Sequence, residues 1–221
     1  MPPIIYKINA SPPARTVMVT ADILSLDIET REVNLPAKEH LKPEYVEKNP
    51  LHTVPLLEDG EFILADSHAI IIYLISKYGS DKAVDLYPDD VQERAIVHQR
   101  LFLDASILFP RLLVIIRAFA YENALCVDEK KKAGVEEAYG FLEKYLQAKP
   151  FLAGEQLTIA DISCVTTVSS LDLVVPIADK YVKLLQWFNK LKIQDWYITK
   201  NQPGLNDLNG FINSCIQRNN Q

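Results

Sequence analysis

Asn49-Pro50-Leu51-His52-Thr53-Val54-Pro55 decides the fold, together with Asp66-Ser67-His68, which opens an apolar helix eleven residues beyond Pro55. Between the two motifs, Val54 to Leu57 and Phe62 to Leu64 read as strands joined by Glu58-Asp59-Gly60-Glu61, and Asp-Gly is a strong hairpin signal. A loop ending in Val-Pro, then a hairpin, then a helix start with an acid and a hydroxyl can hold a small extended peptide. The strand edge at Val54 pairs with a peptide main chain. Free N–H groups at the helix start take a carboxylate, and Asp66 takes an amine.

On the amino-terminal side, Ile4-Ile5-Tyr6-Lys7-Ile8 is a short β-prone run that Ser11-Pro12-Pro13 stops. Ser11 is a good N-cap and Pro12 suits a first helical turn. The helix behind them, to about Leu26, is apolar at Val17, Ala21 and Leu24. Glu29 to Leu35 alternates as a second strand with Val33 and Leu35 inward, and His40 to Val46 forms a short helix around Pro43-Glu44. Ser67 to Tyr78 is an apolar helix that Gly79 stops. The order β-α-β-α-β-β-α fills residues 1–79, an α/β domain.

Residues 79–88 read as a polar linker, and no clear strand follows. Residues 88–221 are therefore an all-α domain. Asp89 to Glu122 is one long helical pattern that Pro110 should kink. Asp128 to Ala148 is another helix. Thr158 and Asp161 have capping-box spacing, with Leu157 and Ile162 placed as a hydrophobic staple. The run Ile162 to Leu173 is so apolar that it belongs at the buried centre of the helical domain. Tyr181 to Leu191 and Leu205 to Ile216 supply outer helices.

Bulk properties exclude several classes. The 221 residues are 48% hydrophobic and 9% aromatic, as in an ordinary globular protein. A net charge of −6 and no long Lys/Arg block argue against nucleic acid and anionic membranes as partners. No run of 18 apolar residues spans a bilayer, and Met1-Pro2-Pro3-Ile4-Ile5-Tyr6 reads as a first strand rather than a signal peptide. Cys126, Cys164 and Cys215 have no metal spacing and read as buried or inert thiols of a reducing compartment, the cytosol. No metal is expected.

The chain resembles a cytosolic glutathione transferase, most closely the insect epsilon class. The likeness rests on Ser11-Pro12-Pro13-Ala14-Arg15, His40-Leu41-Lys42-Pro43-Glu44, Asn49 to Pro55, Asp66-Ser67-His68-Ala69-Ile70, Leu86-Tyr87-Pro88 and Leu157-Thr158-Ile159-Ala160-Asp161, and it covers nearly the whole chain. It implies a thioredoxin-like N-terminal domain, an all-helical C-terminal domain, a homodimer, and glutathione as co-substrate. Glutathione carries the groups the motifs can meet: an amine and a carboxylate at one end, amides in the middle, a carboxylate at the other. The implied activity is conjugation of its thiolate to hydrophobic electrophiles, with peroxide reduction or dehydrohalogenation as side activities. A carrier of hydrophobic ligands such as hormones or pigments is the alternative.

Within that likeness each residue receives an expectation. Ser11 donates a hydrogen bond to the thiolate at a positive helix end, although a plain N-cap fits it too. Val54 pairs with the tripeptide backbone and Pro55 is cis. Asp66 and Ser67 hold the γ-glutamyl end, and His40 and His52 sit near the glycine carboxylate. The electrophile cleft draws on Leu103, Ser106, Ile107, Phe109, Pro110, Leu112, Ile115 and Phe119, some of which belong to the core instead. Arg111 reaches a glutathione carboxylate or a polar substrate group, or else pairs with Asp104. His68 is structural and His98 lies on a solvated face. Pro110 and Ala14 depart from the resembled class, where cysteine often stands at the latter position.

Overall fold

The computed structural model describes residues 2–80 and 83–221, so Met1, Asp81 and Lys82, parts of the expected N-terminus and linker, lie outside the described residues. Four strands, β1 (Ile4–Lys7), β2 (Glu29–Glu32), β3 (Leu56–Asp59) and β4 (Phe62–Ala65), form one sheet in the order β2-β1-β3-β4. Helix α1 (Pro12–Ile23) connects β1 to its parallel neighbour β2, and β3 runs antiparallel to both β1 and β4. Tyr6 stands opposite Leu56, Leu56 opposite Ala65, and Lys7 opposite Glu32. This register brings the exits of β1, β2 and β4 and the entrance of β3 to one end of the sheet.

Side-chain alternation gives the sheet two covered faces. Ile5 and Leu57 join the main core with α1 and with α3 (Ser67–Tyr78). Leu56 and Val33 point the other way and pack with Tyr45 of α2 (Pro43–Lys48). β3 begins two residues later than expected. Pro55 has no N–H for the ladder, so Val54 and Pro55 remain outside the pairing. Gly60 turns the hairpin at φ +65°, where a side chain would be strained. Gly79 does close α3, but in a right-handed conformation that makes no use of glycine's freedom.

The helical part comprises α4 (Ala83–Leu86), α5 (Val91–Leu103), α6 (Phe109–Tyr121), α7 (Glu129–Tyr145), α8 (Ile159–Asp172), α9 (Val182–Lys192) and α10 (Gln202–Asn219). α4 occupies part of the expected linker. α8 is buried along residues 159–171, as its composition demands, and packs against α1, α5, α6 and α10. Its start is fixed by Asp161, which accepts from Thr158 N–H at 3.0 Å, Leu152 N–H at 2.8 Å and Trp187 Nε1 at 2.9 Å.

Pro110 is accommodated by a local change in the helical hydrogen bonding just before it. A π-helical turn, Asp104–Leu108, separates α5 from α6, and the Phe109 N–H bonds to Asp104 O five residues back. Pro110 thereby becomes the second residue of a new helix, where a missing N–H leaves no gap in the ladder. The same arrangement recurs at Tyr197–Asn201, where the Gln202 N–H reaches Tyr197 O just before Pro203.

The two parts meet along α1 and α8. Thr16 Oγ1 and Thr166 Oγ1 are 2.7 Å apart, and the buried Arg15 donates to Thr166 O at 3.1 Å and to Ser170 Oγ. α10 presses on the turn after β1: a Cβ on Gly204 would fall 2.1 Å from Asn9 O, so this approach requires glycine.

Candidate active site

Ser11 caps α1 from extended backbone (φ −74°, ψ 117°), and its Oγ accepts from Ala14 N–H at 3.4 Å. The first two helical residues are prolines, so neither has an N–H, and Ala14 spends its own on the cap. The Ser11 hydroxyl proton therefore remains as the hydrogen-bond donor at this helix end. The side chain is half-buried and open enough to meet a ligand.

The strand register carries Val54-Pro55 and Asp66-Ser67 to the same end of the sheet as Ser11. The Val54–Pro55 peptide is cis. Neither the N–H nor the C=O of Val54 has a partner among the described residues. The preceding carbonyl, Thr53 O, is taken by Tyr45 Oη at 2.6 Å and Asn49 Nδ2 at 2.9 Å, which pins the loop and leaves Val54 as the open edge. Burial pushes the Tyr45 phenol up to about 12, so it stays a donor.

Asp66 sits at φ +72°, ψ 121°, a conformation that costs a non-glycine residue roughly 1–3 kcal/mol and marks functional positions. Its Oδ1 accepts from His68 N–H at 2.8 Å and Ala69 N–H at 3.3 Å, while Oδ2 has no partner among the described residues. Hydrogen bonding from His68 holds this carboxyl below the usual carboxylate range. Ser67 begins α3 and is buried, with its hydroxyl unpartnered among the described residues. His40 and His52 lie together, ring centroids 6.3 Å apart, and His40 Nδ1 is buried without a partner among the described residues.

The structural role expected of His68 is that of a junction between elements. His68 Nε2 is 3.1 Å from Asp104 Oδ2 and 3.1 Å from Ser163 Oγ, and Nδ1 is 3.3 Å from Asp66 Oδ1. Burial opposes its charge, but the bonds to Asp104 and Asp66 prevail and raise its pKa to about 9. Three elements, α3, the first π turn and α8, are thus tied to the residue that caps α3. Asp104 is therefore not the partner of Arg111. Arg111 turns to α7 instead, pairing with Glu137 and lying over the Phe141 ring, so its placement among glutathione ligands finds no support.

The expected electrophile wall divides. Leu112, Ile115 and Phe119 are packed in the core. Leu103, Ile107, Phe109 and Pro110 are half-buried and Ser106 is exposed. Ser106 Oγ turns back to Phe102 O at 2.6 Å. His98 is half-buried and bonded to Tyr87 Oη at 2.7 Å, and Cys126 is exposed while Cys164 and Cys215 are buried. Among the described residues no helix is long and apolar enough to cross a membrane.

Residues 5–82 match the family model of the glutathione S-transferase N-terminal domain, and residues 104–195 that of the C-terminal domain. The chain is 44% identical over 207 residues to glutathione S-transferase 1 of Manduca sexta, covering 92% of this chain and 94% of that protein. An epsilon-class glutathione S-transferase from the housefly, Musca domestica, superposes with TM-score 0.92 at 40% identity over 96% of this chain and 98% of that one. A glutathione transferase homolog from Drosophila mojavensis, solved with bound glutathione, gives TM-score 0.91 at 40% identity over 96% and 97% of the two chains. The sheet end that gathers Ser11, Val54 and Asp66 is thus housed in a chain that belongs to the glutathione S-transferase family, within its insect epsilon and delta group.

Proposed function

We propose that this transferase binds glutathione across the sheet end at Ser11, Val54 and Ser67 and attacks hydrophobic electrophiles with its thiolate. The observation that carries the reading is the convergence of an unpaired peptide edge at Val54 with two helix starts, each bearing a hydroxyl. Val54 N–H and C=O pair with the cysteinyl backbone beside the cis Pro55. Ser67 and the α3 N-terminus take the γ-glutamyl carboxylate, and the free Oδ2 of Asp66 takes the ammonium. His40 and His52 face the glycine carboxylate.

Ser11 donates its proton to the sulfur. A free thiol has a pKa near 8.5, and the nucleophile is the thiolate. One hydrogen bond to an ion plus the helix field lowers that value by about two units. With chlorodinitrobenzene, the sulfur forms a bond to the ring carbon, chloride leaves, and the thiol proton passes to solvent. Ser11 is neither base nor nucleophile. Rate comes from thiolate stabilisation and from holding the electrophile beside it.

Residues 1–79 act as the glutathione unit and residues 88–221 supply the electrophile wall, with Leu103, Ile107, Phe109 and Pro110 as its surface. A homodimer is supported by an open groove of about 330 Å³ between α3 and α5, lined by Asp66, His68, Ala69, Ile72, Leu101 and Phe102. Phe102 is 70% exposed there. A cytoplasmic location fits the free cysteines.

Retention on immobilised glutathione and turnover of chlorodinitrobenzene test the activity. In Ser11→Ala the bound thiol pKa should rise by about one unit and kcat/KM at neutral pH should fall several-fold. Full turnover with an unchanged thiol pKa would remove Ser11 from this role. Tight binding of apolar dyes with no conjugation at all would make the protein a carrier.

A further inference from the structure

Arg15 is 2% exposed, yet no carboxylate lies within ion-pairing distance of it among the described residues. Its guanidinium donates to Ala10 O at 3.4 Å, to Thr166 O at 3.1 Å and to Ser170 Oγ, all uncharged, and Nε has no partner among the described residues. A buried cation without a counter-ion is costly and needs a reason. Burial pulls its pKa down to about 9, which leaves it charged at neutral pH.

Its position supplies the reason. Helical side chains lean toward the N-terminus, and Arg15, one turn after Ser11, reaches back to the carbonyl immediately before Ser11. That helix end lacks the usual free N–H groups because two prolines and the cap remove them. We infer that the buried guanidinium of Arg15 provides the fixed positive charge at this helix start, with the bound glutathione thiolate as its missing counter-ion. The inference rests on the reading of Ser11 as the thiolate's hydrogen-bond donor and adds a second, longer-range contributor beside it. Arg15 is a positioning residue: it touches the Ala10–Ser11 turn, not the sulfur.

The surrounding charges leave this field standing. α8 presents only the neutral Thr166 and Ser170. The second π turn presents Tyr197, a phenol that burial keeps protonated. Asp207 of α10 is an acid that acts on Arg15 through space, with no ion pair between them among the described residues, and it is exposed to water. Lys200 pairs with Asp22 farther along α1, and Lys7 near the turn pairs with Glu32.

Two substitutions separate charge from structure. Arg15→Gln keeps an amide to donate to Ala10 O but removes the charge; Arg15→Lys keeps the charge. The thiolate absorbance of glutathione-saturated protein, read across about pH 5 to 9, gives the bound thiol pKa. Arg15→Gln should raise it by about one unit and Arg15→Lys should return it to within a few tenths of the parent value. Should Arg15→Gln not fold, Arg15→Met replaces the unpaired charge with a hydrophobe, a change buried sites often tolerate, and carries the same expectation. An unchanged thiol pKa in a neutral variant that still binds glutathione overturns the inference, as does equal displacement in the Lys and neutral variants. A parent protein that binds glutathione but leaves its thiol at the ordinary pKa sinks the Ser11 reading first, and this one with it.

Discussion

At the scale of single residues, the side chains that matter most are those whose partners are remote in sequence. Asp161 uses both carboxylate oxygens, one for Leu152 N–H and Trp187 Nε1, the other for the N–H and hydroxyl of Thr158. The capping-box spacing shows one of these bonds; nothing local shows the indole. Asp161→Asn places an NH₂ against donors and leaves buried groups unpaired, so we expect a loss of about 2–4 kcal/mol in urea unfolding. His68 gives a pH signature. Its pKa is higher in the folded state (about 9) than the ordinary 6.5. The resulting stabilisation is complete below about pH 6.5 and is lost as pH rises through 9, on the order of 3 kcal/mol in all. Unfolding curves of the parent and of His68→Gln should converge in alkali and separate near neutrality. His68 was unreadable as a hub because Asp104 and Ser163 reach it from other helices. Ser11, by contrast, was legible because a cap and its prolines are contiguous.

At the scale of elements, strands, hairpin and helix starts followed from local chemistry, and their ends moved by a few residues where tertiary pairing took over. β3 starts at Leu56 rather than Val54 because Pro55 cannot donate to the ladder. The π turns were hidden, since an apolar run with a proline in it reads the same whether the helix bends or restarts. Pro110→Ala restores the donor that makes an uninterrupted α-helix competitive across residues 104–110. Shifting that register moves Ser106 and Ile107. We expect KM for bulky electrophiles to change several-fold while KM for glutathione stays within about twofold. A proportional change in both would place the π turn outside the electrophile wall. The charge of Arg111 on an apolar stretch drew attention correctly, but a helix surface pattern does not say which neighbour answers it, and Glu137 does.

At the scale of the whole molecule, the two-part architecture was visible from the change in periodicity near residue 79, whereas the way the parts lock together was not. The groove between α3 and α5 is lined in part by Asp66, the residue we assign to the glutathione ammonium. Phe102→Glu puts a charge into it, and the protein should sediment as a monomer with weaker glutathione binding, by roughly tenfold if the partner supports the α3 start. A dimer that survives the substitution would place the subunit contact elsewhere. Gly204 has a bearing on how the protein is born. The turn bearing Ser11 leaves the ribosome on the order of ten seconds or more before residue 204 does, at usual synthesis speeds. Until then Arg15 has neither Thr166 nor the α10 backbone around it and faces water instead. The nascent N-terminal half thus spends that interval with the corner at Ser11 unfinished, and that corner is complete only when late-made chain closes over early-made chain.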